Sequence, residues 1–140
     1  NKTFTEGIRM TLFRFGEFTL HSGERSRWKI DCDGFTNEDI TALAYLIATR
    51  KKPFASVSGI PTGGTRLATE LENYTSPDGA YHLVVDDVYT TGASMDEYAE
   101  NYTGDLPLHG VVVFSRSVSV ANWVDILFWL SDPYEEMYSE

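Results

Sequence analysis

A single cysteine, Cys32, stands among the 140 residues, so no disulfide can form within the chain. That leans towards a reducing compartment and leaves an apolar core as the source of stability. No run approaches the roughly 18 apolar residues of a membrane span. The opening Asn1-Lys2-Thr3 carries no basic-then-apolar leader pattern, so a cytoplasmic protein without a membrane partner is expected. Basic residues are few and unevenly placed. Residues 1–66 hold ten against seven acidic ones, residues 67–140 hold only Arg116 against fourteen acids, and the net charge is −10. A nucleic-acid face needs a basic surplus, so nucleic acid is not an expected partner. The asymmetry serves either solubility or a local anion site built from the first half. His21, His82, His109 and Cys32 lack metal-ligand spacing, so zinc is not expected.

What is present fits one globular domain, residues 1–140, with 42% hydrophobic and 23% charged residues, too apolar for disorder. Phe4, Ile8 and Leu12 recur at helical spacing and predict a helix over 3–13, ended by Gly16. Residues 17–22 and 26–32 read as a β-hairpin around Ser22-Gly23-Glu24. Thr36 to Asp39 has the form of a capping box, Ile40, Leu43, Ala44 and Ile47 follow at helical spacing, and Arg50-Lys51-Lys52-Pro53 closes the helix. The chain then alternates. Strands are expected at 54–58, 81–85, 111–114 and 125–130, and helices at 65–73 and 93–102. Turn-rich Gly59-Ile60-Pro61-Thr62-Gly63-Gly64 and a loop over 86–92 lie between them. Strand, loop and helix in repetition predict an α/β fold, a doubly wound, mainly parallel sheet with helices on both faces. Trp123, Phe128 and Trp129 read as core or dimer interface, and residues 131–140 as an acidic tail. One internal echo stands out. Thr62-x-Gly64 leads to Glu72-Asn73-Tyr74-Thr75 at the same spacing by which Thr90-x-Gly92 leads to Glu100-Asn101-Tyr102-Thr103, as two similar βα crossovers would.

The segment Leu83-Val84-Val85-Asp86-Asp87-Val88-Tyr89-Thr90-Thr91-Gly92-Ala93-Ser94 carries chemistry. An apolar strand ends in two adjacent carboxylates, and a Thr/Gly-rich loop then opens a helix. Ligands of parallel sheets bind beyond the carboxyl ends of strands. Loop amides and a helix dipole cradle phosphate there, with hydroxyls from Thr90, Thr91 and Ser94 as further donors. Asp86 and Asp87 would accept from ribose hydroxyls or hold water around Mg²⁺. The segment reads as a ribose-phosphate grip.

It resembles the phosphoribosyl-pyrophosphate (PRPP) motif of type I phosphoribosyltransferases. Two further stretches narrow the resemblance. Phe15 to Gly23, running on to Ser26 and Ile30-Asp31, is similar to the N-terminal hood of orotate phosphoribosyltransferases, and Gly59 to Ala68 to their pyrophosphate-binding loop. Val111 to Arg116 stands where that family has a strand ending in a base-contacting region. The resemblance implies a hood within 1–33, a core over 34–130, a homodimer, Mg²⁺, PRPP or a nucleotide as ligand, and a small nitrogenous base such as orotate. It assigns Asp86 and Asp87 to catalysis and Val88, Tyr89, Thr90, Thr91, Gly92, Ala93 and Ser94 to the phosphate. Gly59, Ile60, Pro61, Thr62, Gly63, Gly64 and Arg66 fall to the pyrophosphate, and His21, Lys29 and Arg116 to the base. The family's basic mobile loop and its strand are missing, since Leu71 to Ala80 contain no Lys, Arg or His. Two functions are expected in competition: transfer of phosphoribosyl to a base with release of pyrophosphate, or a weak or inactive ribose-phosphate-binding module acting as sensor or regulator.

Overall fold

The computed structural model describes residues 12–19, 25–117 and 119–130. Two antiparallel strands come first, β1 (Phe13–Thr19) and β2 (Arg25–Ile30). Phe13 therefore opens a strand instead of closing a helix, and Gly16 lies inside β1, where the pairing register shifts between Phe15 and Phe18. A bulge of this kind bends the ribbon and hides the period-2 pattern. The rest of the expected helix, the hairpin turn, His21 and the acidic tail lie outside the described residues.

Helix α1 (Asn37–Arg50) starts as its capping box requires. The Asp39 amide donates to Thr36 Oγ1 at 3.0 Å, and the Thr36 amide donates to Asp39 Oδ2 at 2.8 Å. Then follow β3 (Ser56–Gly59), α2 (Thr65–Leu71) with a short 3₁₀ turn to Tyr74, β4 (His82–Tyr89), α3 (Ala93–Asn101), β5 (Leu108–Ser115) and β6 (Val124–Trp129). The four last strands form one parallel sheet in the order β3-β4-β5-β6.

Successive side chains of a strand point to opposite faces, and the core divides accordingly. Leu83, Val85, Val111 and Val113 pack against Ala44 and Ile47 of α1 and Leu67, Ala68 and Leu71 of α2. Val84 and Val112 pack against Met95 and Tyr98 of α3. The sheet is thus covered on both faces, as a doubly wound fold demands. The β3-α2-β4 and β4-α3-β5 units advance in the same direction across the sheet with their helices on opposite faces, so they have opposite hands. Right-handed crossovers account for about 98% of such units. A strand outside β3 would restore the usual hand to α2.

Strand β4 runs four residues past the expected end at Val85. Asp86 pairs with Val112 and Val88 with Phe114, so both acids are strand residues, and the loop begins only at Thr90. Two local bonds tie the acids to the following amides. Asp86 Oδ1 accepts from the Asp87 amide at 2.8 Å, and Asp87 Oδ1 accepts from the Val88 amide at 2.7 Å. Smaller shifts of one to three residues move the ends of β3, α2, β5 and β6.

Candidate functional site

At the carboxyl ends of β3, β4 and β5 a cavity of about 470 Å³ opens, within the roughly 300–1,000 Å³ of small-molecule sites. Asp86 is 7% exposed at its floor. Burial, the hydrogen bond to the Asp87 side chain and the charge of Asp87 push the Asp86 carboxyl up to about 8. The neutral form of the Asp86 carboxyl is therefore the favoured one at neutral pH. The Cys32 thiol hydrogen-bonds to Asp87 as well, and burial with the nearby carboxylates pushes its ionisation far up, so it stays a thiol.

Two loops rise over these acids. The loop after β4 enters α3 through Gly92, whose φ of 86° lies in the left-handed region and which sits against the Tyr89 hydroxyl. A side chain there would meet both backbone strain and the tyrosine. The amides of Thr90, Thr91, Gly92, Ser94 and Met95 have no partner among the described residues, while the Ala93 amide donates to Thr91 Oγ1 at 3.3 Å. Helix α3 adds its positive dipole end. The loop after β3 contains a cis Pro61–Thr62 peptide, and its Gly63 lies so close to the Asp87 carboxyl group that a Cβ would overlap it. Most of its amides are taken. Ile60 donates to the Val85 carbonyl at 2.9 Å, Gly64 to the Ile60 carbonyl at 2.8 Å and Thr65 to the Thr62 carbonyl at 3.2 Å.

Asp86, Asp87, Val88 through Ser94, Ile60 through Gly63, Lys29 and Arg116 all line the cavity. Gly59 and Gly64 lie beneath the loop and do not line it. Arg66, expected at the pyrophosphate, also does not. Its guanidinium donates to the Phe35 carbonyl at 3.1 Å and to Asn37 Oδ1 at 3.2 Å, bracing the entry to α1. From the hood come Thr19 and Ile30 beside Lys29, whose ammonium lies 5.0 Å from the Phe18 ring centre. Sequence reasoning did not single out Thr19, Ile30 and Met95 as lining residues, nor Cys32 at Asp87. The hood's fold-back brings Thr19, Ile30 and Cys32 there, and no local spacing marks it. Among the described residues no cluster of three or more His, Cys, Asp or Glu side chains forms a metal site.

No protein-family model matches the sequence, and no curated protein is similar to it. Solved structures are similar in fold. UMP synthase from Leishmania donovani superposes with a TM-score of 0.69 at 21% identity, over 85% of this chain and 34% of that one. The orotate phosphoribosyltransferase of Aeropyrum pernix gives 0.62 at 21% identity, over 84% of this chain and 88% of that one. The Mycobacterium tuberculosis orotate phosphoribosyltransferase in complex with inorganic phosphate gives 0.65 at 18% identity, over 91% of this chain and 94% of that one. The chain spans about a third of the UMP synthase and most of the two transferases. With its parallel sheet, its two strand-end loops and its antiparallel hood, the chain has the type I phosphoribosyltransferase fold of the orotate phosphoribosyltransferases.

Proposed function

We propose that the protein binds PRPP or a ribonucleotide 5′-phosphate and transfers phosphoribosyl to a nitrogenous base, orotate being the first to test, with release of pyrophosphate. The observation that carries this reading is the meeting of three parts in one cavity: unpartnered amides over 90–95, the Asp86–Asp87 pair, and a hood bearing Lys29. In the reaction a base nitrogen that has already lost its proton to solvent attacks C1′ of the ribose, the C1′–oxygen bond to pyrophosphate breaks, and the pair of electrons leaves with pyrophosphate. Amides of the 90–95 loop hold the 5′-phosphate, Asp87 accepts from a ribose hydroxyl, and Lys29 and Arg116 face the base.

Two carboxyl groups are too few for an all-protein magnesium cage, but they fit an ion that arrives on a diphosphate and keeps its water. Asp87 and Asp86 would hold such an ion through water, and when bound it neutralises diphosphate charge. The reading includes a homodimer, for which the exposed Phe128 and Trp129 on β6 offer apolar surface. Among the described residues no helix is long and apolar enough to cross a membrane.

Incubation with PRPP, Mg²⁺ and a panel of bases, followed for pyrophosphate, tests the reading. Base-dependent release is expected, reduced about 10–100-fold in Asp87→Ala, the loss of a charged hydrogen bond. If no base supports release while ribose 5-phosphate still binds, the protein is a ribose-phosphate-binding module and not a transferase.

A further inference from the structure

The two strand-end loops differ in what they leave for an anion. On the β4 side, Thr90, Thr91, Gly92, Ser94 and Met95 line the cavity, their amides have no partner among the described residues, and a helix dipole stands behind them. On the β3 side, Pro61 has no N–H, and the Ile60 and Gly64 amides are tied to carbonyls of Val85 and Ile60. Only Thr62 and Gly63 among the lining residues of that loop have amides left, and Gly63 abuts the Asp87 carboxyl group.

Among the described residues two cations line the cavity, Lys29, whose ammonium lies 5.0 Å from the Phe18 ring centre, and Arg116. Arg66 is held by Phe35 and Asn37. Arg116 follows β5, which lies across β4 from β3, about 10 Å away at the spacing of neighbouring strands. Residues 67–115 contain no Lys or Arg. A monoester phosphate on the β4 loop meets amides and a positive dipole, whereas a diphosphate on the β3 loop meets two amides beside a carboxyl group. Transferring that much charge from water without matching donors is unfavourable.

We infer that the site recognises ribose through its 5′-phosphomonoester alone, so that ribose 5-phosphate and nucleoside 5′-monophosphates bind at least as well as PRPP. The inference rests on the proposed function and names which of its ligands the protein itself favours. The 1′-diphosphate contributes no affinity of its own, and the site favours the nucleotide side of the transfer.

Isothermal titration of the full chain with ribose 5-phosphate, PRPP and pyrophosphate, in buffer with Mg²⁺, tests this. The expected result is a PRPP Kd no more than about threefold below that of ribose 5-phosphate, and pyrophosphate at least about tenfold weaker than either. A PRPP Kd lower by more than that factor, or pyrophosphate binding as tightly as ribose 5-phosphate, overturns the inference and leaves the proposed function standing. If none of the three binds, both fall. Repeating the titrations in EDTA separates the protein's preference from the metal's: the PRPP Kd should rise there, and that of ribose 5-phosphate should stay unchanged. A ribose 5-phosphate Kd that rises with PRPP's would mean that the metal, not the amides, holds the monoester, and would overturn the inference.

Discussion

The loops after β3 and β4 share the Thr-x-Gly pattern, follow neighbouring parallel strands, and use their last glycine to start a helix. In both, that glycine's carbonyl accepts the first helical bond, from Ala68 at 3.0 Å and from Asp96 at 2.9 Å. Yet they are built differently. Gly64 has φ −87° and donates its amide to the Ile60 carbonyl, whereas Gly92 has φ 86° and its amide has no partner among the described residues. The two turns differ in the sign of this dihedral, in the cis Pro61–Thr62 peptide of the first and in how many of their amides are bonded within the loop. The helices behind them differ in the same sense, since α2 has seven residues and α3 nine. The sequence echo marks two equivalent places in the fold, and the backbone gives them unequal chemistry.

The sharpest way to break this comparison is to force the second loop out of its left-handed turn. Gly92→Val places a β-branched side chain at a positive φ and against the Tyr89 hydroxyl, at a cost of about 1–3 kcal/mol. Loss of ribose 5-phosphate binding by more than about 100-fold is expected, with the fold retained by circular dichroism. Titration of a folded variant that still binds would show that the amides over 90–95 are not the phosphate donors.

The candidate site was legible where local chemistry decides geometry and hidden where distant segments meet. Helix α1 follows from its capping box, its apolar spacing and Pro53. The gathering of residues 86–94 at one cavity follows from apolar residues, adjacent acids and a Thr/Gly loop in that order. The extension of β4 to Tyr89 was not legible, because two acids and a Thr pair read as loop. They remain in the strand because β5 pairs with it as far as Tyr89. Strand β1 was obscured by Gly16 at the register shift. Arg66 looked free because a first-turn arginine beside a glycine loop faces an anion as readily as a carbonyl. Only the packing of residue 35 beside α2 decides between them. No residue type announces which amides of Ile60 to Thr65 are consumed.

A second test concerns the floor that both loops share. The Asp86 carboxyl is raised to about 8 in the folded protein from its ordinary 3.8. Its neutral form is therefore the favoured one when folded. The stability it supports is complete below about pH 4, declines as pH rises through the window between the two values, and is lost above about pH 8. Asp86→Asn keeps an oxygen for the Asp87 amide and removes the ionisation. Thermal melts should show the variant close to wild type at pH 4 and higher by at least about 4 °C at pH 9. Equal melting temperatures at both pH values would mean that Asp86 is ionised without penalty.

The smallest expected effect sharpens the comparison most, because it asks whether the first loop reads anions at all. Arg66 follows the Thr62–Gly64 turn directly, where a cation could serve a diphosphate, but its guanidinium bonds to Phe35 and Asn37. Phe35 in turn stacks on Phe114 with ring centres 6.1 Å apart, so Arg66 ties the start of α2 to the packing above β5. The side chain is exposed, and two exposed hydrogen bonds of this kind contribute about 0.5–1.5 kcal/mol. Arg66→Ala should lower stability by that amount and leave the Kd of both ribose 5-phosphate and PRPP within about twofold of wild type. If PRPP binding alone weakens about tenfold, the guanidinium leaves Phe35 when a diphosphate arrives. The first loop is then an anion site completed by a moving cation, and the two loops are equivalent in chemistry as well as in place.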